Sequence, residues 1–324
     1  MGQLLSSSHQ TLICRLSPQN FASSPLARES HVLSKAHFVE SADGTRIAYY
    51  VTPAPRRDAP TIVLANGLGG PRHAWKPLID QLGDRFRFIT WDYRGLYGSD
   101  RPAGGDAGYA IPRHVDDLEA VLRAESIERA ALMGWSMGVQ VCLEATQRMP
   151  SLAAVLVLLN GTFGRPLDTA VPQGFSRALP HALDLAQKYA APLGRWVRRA
   201  STQPEFVSVL KRFGMISDTV DEQEFGVVVN MFGSLDVAAY VQNLRALGDH
   251  DASRLLAGIQ VPTLVIAGDR DKLTHRGLSQ QMVRRIPQAQ ILVVRGGTHY
   301  TAVEFPELCA LRIERFFAEH GFSS

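Results

Sequence analysis

The chain has 324 residues, 45% of them hydrophobic and 20% charged, proportions ordinary for a soluble globular α/β protein of one large domain or two smaller ones. Its 34 Lys and Arg against 31 Asp and Glu leave a net charge of +3 with no basic block, which argues against a nucleic-acid partner. No apolar run approaches the roughly 20 residues that a bilayer-spanning helix needs, which argues against a transmembrane segment.

The first stretch, residues 1–36, is Ser-rich, lacks periodicity and holds no acidic residue before Glu29. "MGQLLS" fits the Met-Gly-x-x-x-Ser pattern for myristoylation, and the stretch also resembles a weak transit peptide. Of the 34 basic residues only five are lysine, a bias that, with abundant alanine, suggests a GC-rich bacterial gene in which neither signal is read. A flexible leader is therefore expected. Cys14, Cys142 and Cys309 are an odd, scattered set that suits neither a disulfide framework nor a zinc site. They read as small buried apolar residues of a reduced compartment, and the expected location is cytoplasmic.

From residue 37 short apolar runs alternate with amphipathic stretches. "HFVE" and "RIAYYV" flank the turn "SADGT" and predict a hairpin. "TIVLA" (61–65), "FRFITWD" (86–92), "RAALMG" (129–134), "AAVLVLLN" (153–160), "PTLVIAG" (262–268) and "AQILVV" (289–294) follow. Rich in Val, Ile and Leu without clean alternation, they predict strands covered on both faces. Helical patterns lie between several of them, near 73–82, 112–124, 137–149, 275–286 and 304–319. That alternation predicts a mostly parallel central sheet flanked by helices. The rhythm breaks between Asn160 and Pro262, about a hundred residues with mixed helical pattern and no convincing strand, too long for a loop. The expected organisation is a core of residues 37–160 and 252–324 with a helical lid inserted over 161–251, rejoining the core near Asp251.

"LMGWSMGVQ" (132–140) sets Ser136 between Gly134 and Gly138 at a strand-to-helix junction. A sharp turn there strains the serine backbone, demands small neighbours, projects the hydroxyl above the sheet and aims the Met137 amide at developing negative charge. The competing reading is a helix-capping serine in a glycine-bounded turn. A serine nucleophile needs a base. Among ten histidines, His299 alone follows the last strand-like run, in "GGTHY" (296–300), whereas most of the others lie in polar or lid segments; "GDHD" (248–251) lacks the ligand spacing of a metal site. The base needs an acceptor, and "VIAGDRDKL" offers Asp269 and Asp271 at the end of another strand, where the preceding strand ends in Asn160 and supplies no carboxylate.

These features together resemble the α/β-hydrolase superfamily, over roughly residues 37 to 320. The order Ser136, Asp271, His299 is that of the superfamily's triad. "NGLGG" (66–70) resembles its oxyanion loop, "WDYRGLYGSD" (91–100) its Asp-x-Arg-Gly-x-Gly-x-Ser turn, and "GDRD" its Gly-x-x-Asp acid loop, which selects Asp271 over Asp269. The resemblance implies an α/β-hydrolase fold, with the Leu68 amide as second oxyanion donor beside Met137. Asn66 stands where the superfamily commonly has histidine, and Tyr97 where a small or imidazole residue is frequent. Asp92, Arg94 and Gly95 are taken as turn architecture.

The expected function is a serine hydrolase, first of all a carboxylesterase, that uses no metal or cofactor and acts on a small hydrophobic acyl substrate. Val227, Val228, Val229, Met231 and Phe232 in the lid suggest the apolar moiety, and Trp135 is a candidate substrate contact. C–C bond hydrolases, thioesterases, lactonases, cofactor-free haloperoxidases and acyltransferases share the triad, while serine at position 136 argues against epoxide hydrolase or dehalogenase chemistry. A ligand receptor that keeps the fold without turnover is the alternative of another class.

Overall fold

Strands β3 (Thr61–Ala65), β5 (Ala130–Trp135), β6 (Ala153–Leu159) and β7 (Thr263–Gly268) are buried at every position. Their continuous apolar sequence follows from this, because side chains alternate across a pleat and both faces here are covered. In the computed structural model, which describes residues 35–170, 178–203 and 205–322, they form the middle of an eight-stranded sheet. β1 (His37–Glu40), β2 (Arg46–Val51), β4 (Arg87–Trp91) and β8 (Ala289–Val294) complete it in the order β1-β2-β4-β3-β5-β6-β7-β8. β1 and β2 form the expected hairpin, Glu40 opposite Arg46, and β2 runs antiparallel to β4; every other pairing is parallel.

Two apolar layers sandwich the sheet. Leu132, Leu156 and Leu158 point to one, with helices α2 (Ile111–Ala124) and α3 (Met137–Arg148); Met133, Val155 and Val157 point to the other, with helix α1 (Lys76–Leu82). Burying one such leucine contributes about 1.5–3 kcal/mol.

After β6 the chain leaves the sheet through a segment with six helices among the described residues: α4 (Pro166–Ala170), α5 (Leu179–Lys188), α6 (Ala190–Ser201), α7 (Glu205–Arg212), α8 (Glu222–Phe232) and α9 (Val237–Asp249). Asp221 and Asp236 cap the last two by accepting amide N–H bonds in their first turns. The chain re-enters at Asp251, whose carboxylate accepts from Ser253 N–H at 2.8 Å. The segment this opens is a 3-10 helix, Ser253–Gly258, reset by Ala252 N–H bonding to Phe163 O at 2.8 Å. Helix α10 (Arg276–Arg285) joins the first layer and α12 (Pro306–Glu319), preceded by the single turn α11 (Thr301–Glu304), joins the second.

Cys142 and Cys309 are free and buried; Cys14 and all of the expected leader except residues 35 and 36 lie outside the described residues. Among the described residues no single helix is long and apolar enough to cross a membrane.

Candidate active site

Ser136 joins β5 to α3 with φ 57° and ψ −115°, a backbone conformation that L-residues rarely adopt and that costs about 1–3 kcal/mol. The neighbouring strand holds it there: Ser136 N–H donates to Leu159 O at 3.0 Å. A Cβ on Gly138 would run into the Ala65 carbonyl, and one on Gly134 into the Gly138 carbonyl, so the flanking glycines are dictated by backbone contact. The serine makes no capping hydrogen bond, which removes the capping alternative. Its hydroxyl instead donates to Nε2 of His299 at 2.9 Å.

His299 Nδ1 lies 3.0 Å from Asp271 Oδ2, and because an ionised carboxylate only accepts, the proton sits on Nδ1 and leaves Nε2 free to accept from Ser136. Asp271 is saturated with donors. Leu273 N–H and Thr274 N–H bond Oδ1 at 2.8 and 2.9 Å, while Thr274 Oγ1 and Asn160 Nδ2 bond Oδ2 at 2.7 and 3.0 Å. Burial alone would raise this carboxyl, but the His299 and Thr274 donors outweigh it and hold it at about 2. Asp269, by contrast, is exposed and accepts from Gly296 N–H at 2.7 Å, a turn clamp away from the imidazole.

Three further residues fix this arrangement and were not singled out from sequence as its supports. Asn160, at φ 44°, also donates to Thr298 O at 2.9 Å and so links the acid and histidine loops. Thr274 is the local Asx-type partner of Asp271, a signal readable in "DKLT". Glu304 accepts from Thr298 N–H and Oγ1 at 2.7 and 2.5 Å and from Ser217 N–H at 2.7 Å, which ties the histidine loop to the segment between α7 and α8. Burial raises its carboxyl. Nothing local in the sequence announces Glu304, since its partners are side chains and amides brought together by the fold.

Residues 67–70 form a turn in which Gly70 N–H donates to Gly67 O at 2.9 Å, and Gly69 takes the φ of 67° that this turn requires. Since N–H and C=O point opposite ways across a trans peptide, the inward Gly67 carbonyl turns the Leu68 N–H outward. Neither the Leu68 nor the Met137 amide donates to a backbone carbonyl among the described residues, and Met137 belongs to the first turn of α3, where helical acceptors are missing. Asn66 ties the loop to its surroundings through its side-chain amide. Its Nδ2 donates to Trp91 O at 2.7 Å, on the adjoining strand, and its Oδ1 accepts from Trp75 Nε1 at 2.7 Å. Tyr97, at φ 50°, donates from its hydroxyl to Gly69 O at 2.6 Å. Trp135 lies beneath the turn, against Gly67 and Gly70, and donates from Nε1 to His299 O at 2.9 Å.

Above Ser136 opens a cavity of about 540 Å³ between the sheet edge and the inserted helices. Leu68, Trp135, Val228, Val229 and Phe232 are among its walls. Val227 is a correction to the expected apolar set: it sits on the outer side of α8 and is exposed, and Met231 does not line the cavity either. Arg94 is fully buried, paired with Asp117 at 2.6 Å and Asp43 at 2.6 Å and bonded to Ser41 Oγ and Gly108 O, so its donors are spent on the turn. Asp92 likewise accepts from Tyr50 O–H and Gly98 N–H. His250 bonds Gln140 and Glu144 and pins the end of α9 to α3.

A family model described as "alpha/beta hydrolase fold" matches residues 60–306. A curated relative from Agrobacterium fabrum, named "Putative carbamate hydrolase RutD", is 27% identical over 268 residues, covering 80% of this chain and 93% of its own. Among solved structures, an esterase from Exiguobacterium antarcticum aligns with a TM-score of 0.70 at 19% identity, over 88% of this chain and 100% of that one. An enol-lactonase from Burkholderia xenovorans aligns with a TM-score of 0.65 at 22% identity, over 87% and 100%. At these identities the two structures speak to fold alone.

Proposed function

The chain belongs to the alpha/beta hydrolase fold family, and from that premise we propose that it is a serine hydrolase cleaving an ester-like acyl compound, with the inserted helices as a lid. The observation that carries this reading is the unbroken line of hydrogen bonds from Ser136 Oγ to His299 Nε2, 2.9 Å, and from His299 Nδ1 to Asp271, 3.0 Å, at the foot of a mostly apolar cavity. Ser136 attacks the acyl carbon while its proton passes to His299. Asp271, held ionised, stabilises the imidazolium that results. The Leu68 and Met137 amides receive the oxyanion, each such donor being worth about 2.7–4 kcal/mol of barrier in comparable sites. His299 then protonates the departing alcohol, and a water deprotonated by His299 releases the acid from Ser136.

Apolar walls support a hydrophobic acyl group, and carboxylic esters are the first substrate class. Carbamates are the second, favoured by the name of the Agrobacterium fabrum relative. A panel of aryl esters, thioesters, lactones and aryl carbamates, assayed with wild type and Ser136→Ala in parallel, tests the reading and ranks the classes. Turnover of the best substrate should fall about 10⁶-fold in kcat in the variant. Turnover near wild type in Ser136→Ala would overturn the mechanism.

A further inference from the structure

Among the described residues, six side chains with a hydroxyl or imidazole group line the cavity: Ser136, Ser201, Tyr240, Thr274, His299 and Tyr300. Four of them have their donors committed. Ser136 donates to His299, His299 and Thr274 donate to Asp271, and Ser201 Oγ bonds back to Arg198 O within its own helix at 3.0 Å. Tyr240 and Tyr300 differ, because neither phenol hydroxyl has a hydrogen-bond partner among the described residues. Both rings are held firmly, so the hydroxyls are placed and not merely loose. Tyr240 packs against Phe232, centroids 5.7 Å apart, and its Cε2 edge abuts Gly69 of the turn beside Leu68. Tyr300 follows His299 directly and packs on Trp135 and edge-on to Phe225, at 5.3 and 5.0 Å. Among the described residues no Lys, Arg, Asp or Glu lines the cavity.

We propose that the substrate is uncharged and carries an oxygen acceptor a few bonds from its scissile carbonyl, which the Tyr240 and Tyr300 hydroxyls bind. This rests on the hydrolase reading above and narrows its substrate class. A phenol with no partner in a largely apolar cavity loses its water when a substrate enters, so a ligand that offers it an acceptor gains over one that does not. A charged group would enter the same space with no counter-ion among the described residues to meet it, which penalises carboxylate-bearing substrates. Burial raises both phenols, Tyr300 to about 12, so they stay protonated and able to donate near neutral pH.

The test compares 4-nitrophenyl hexanoate with isosteres in which an ether oxygen replaces the acyl methylene at carbon 3, 4 or 5. The mono-4-nitrophenyl ester of adipic acid joins them, and each kcat/KM is divided by the ester's own rate of hydroxide hydrolysis to remove intrinsic reactivity. At least one ether position should gain about tenfold over hexanoate in the wild type. That gain should collapse towards unity in the double variant Tyr240→Phe, Tyr300→Phe, and the adipate ester should fall about a hundredfold below hexanoate. An absence of gain at every ether position, a gain that survives the double variant, or an adipate ester equal to hexanoate would overturn the proposal. The wild-type comparison decides even if the double variant does not fold. Hydrolysis of plain hexanoate, and its loss in Ser136→Ala, report separately on the hydrolase reading.

Discussion

Helix α3 and helix α5 are similar in length, yet α3 buries nine residues and α5 buries none. The same contrast separates the sheet with its two layers from the outer part of the insertion, where Leu185, Tyr189 and Trp196 are all more than half exposed. Around Ser136 the backbone itself is the device: glycines at van der Waals limits, a strained φ and carbonyls of β3 and β6 leave the serine one position. Around the cavity roof the walls are side chains on helices with few contacts to spare. On the proposed reading, chemistry is built on the densely packed part and selectivity on the part that has room to vary. Helices α8 and α9 stand between the extremes, capped and joined to the two apolar layers through Val228, Ala239 and Leu247, and α9 is tied to the turn after β4 by Asn243 Nδ2 bonding Arg94 O at 3.0 Å.

Variants on either side of that divide sharpen it. Asp271→Asn should cut kcat about 10⁴-fold by disturbing the imidazole tautomer, measured by stopped assays across an ester series. An equal loss from any substitution confined to α5 would break the comparison. Asp271 also predicts a pH effect. Its folded pKa, about 2 against an ordinary 3.8, means the folded state gains stability from the ionised form above pH 4, and this is lost as pH falls from 4 through 2. The loss is about 2 kcal/mol, visible in urea unfolding at pH 5 and pH 2.5, and Asp271→Asn should flatten it. Leu156→Ala, fully within the core, should cost about 2–5 kcal/mol in the same unfolding measurement. Tyr97→Phe should lower kcat about tenfold with KM little moved, because the Gly69 carbonyl loses its anchor and the turn bearing the Leu68 amide loosens. Leu185→Ala, on the exposed face of α5, should change stability by less than about 0.5 kcal/mol.

Most of the frame was legible in the sequence for one reason: strands covered on both faces must be apolar throughout, and all eight announced themselves that way or as a hairpin. Ser136, Asp271 and His299 lie at strand ends on one sheet edge, so strand positions alone were enough to suggest their meeting, and the resemblance to α/β hydrolases separated Asp271 from Asp269. The insertion was harder. Its helices carry apolar residues that face the cavity, the sheet or solvent, and the pattern alone does not say which, so Val227 was grouped with Val228 although it points outward. The supports of the site were hidden for a different reason. Tyr97 and Asn160 act through hydrogen bonds to residues 28 to 138 positions away, and Glu304 through bonds to Thr298 and Ser217 at once, and such pairings leave no local periodicity. Asn66 departs from the superfamily's usual residue yet is fully bonded, to Trp91 O and Trp75 Nε1, which its sequence position alone does not show.

The proposed chemistry requires the Ser136 hydroxyl to be activated by His299. Treating the protein with a fluorophosphonate and weighing it intact, before and after peptide mapping, measures that directly. One adduct per chain, on Ser136, is expected in the wild type, with labelling lost in His299→Ala. An unlabelled wild type, an adduct on another residue, or labelling that persists unchanged without the imidazole would contradict it.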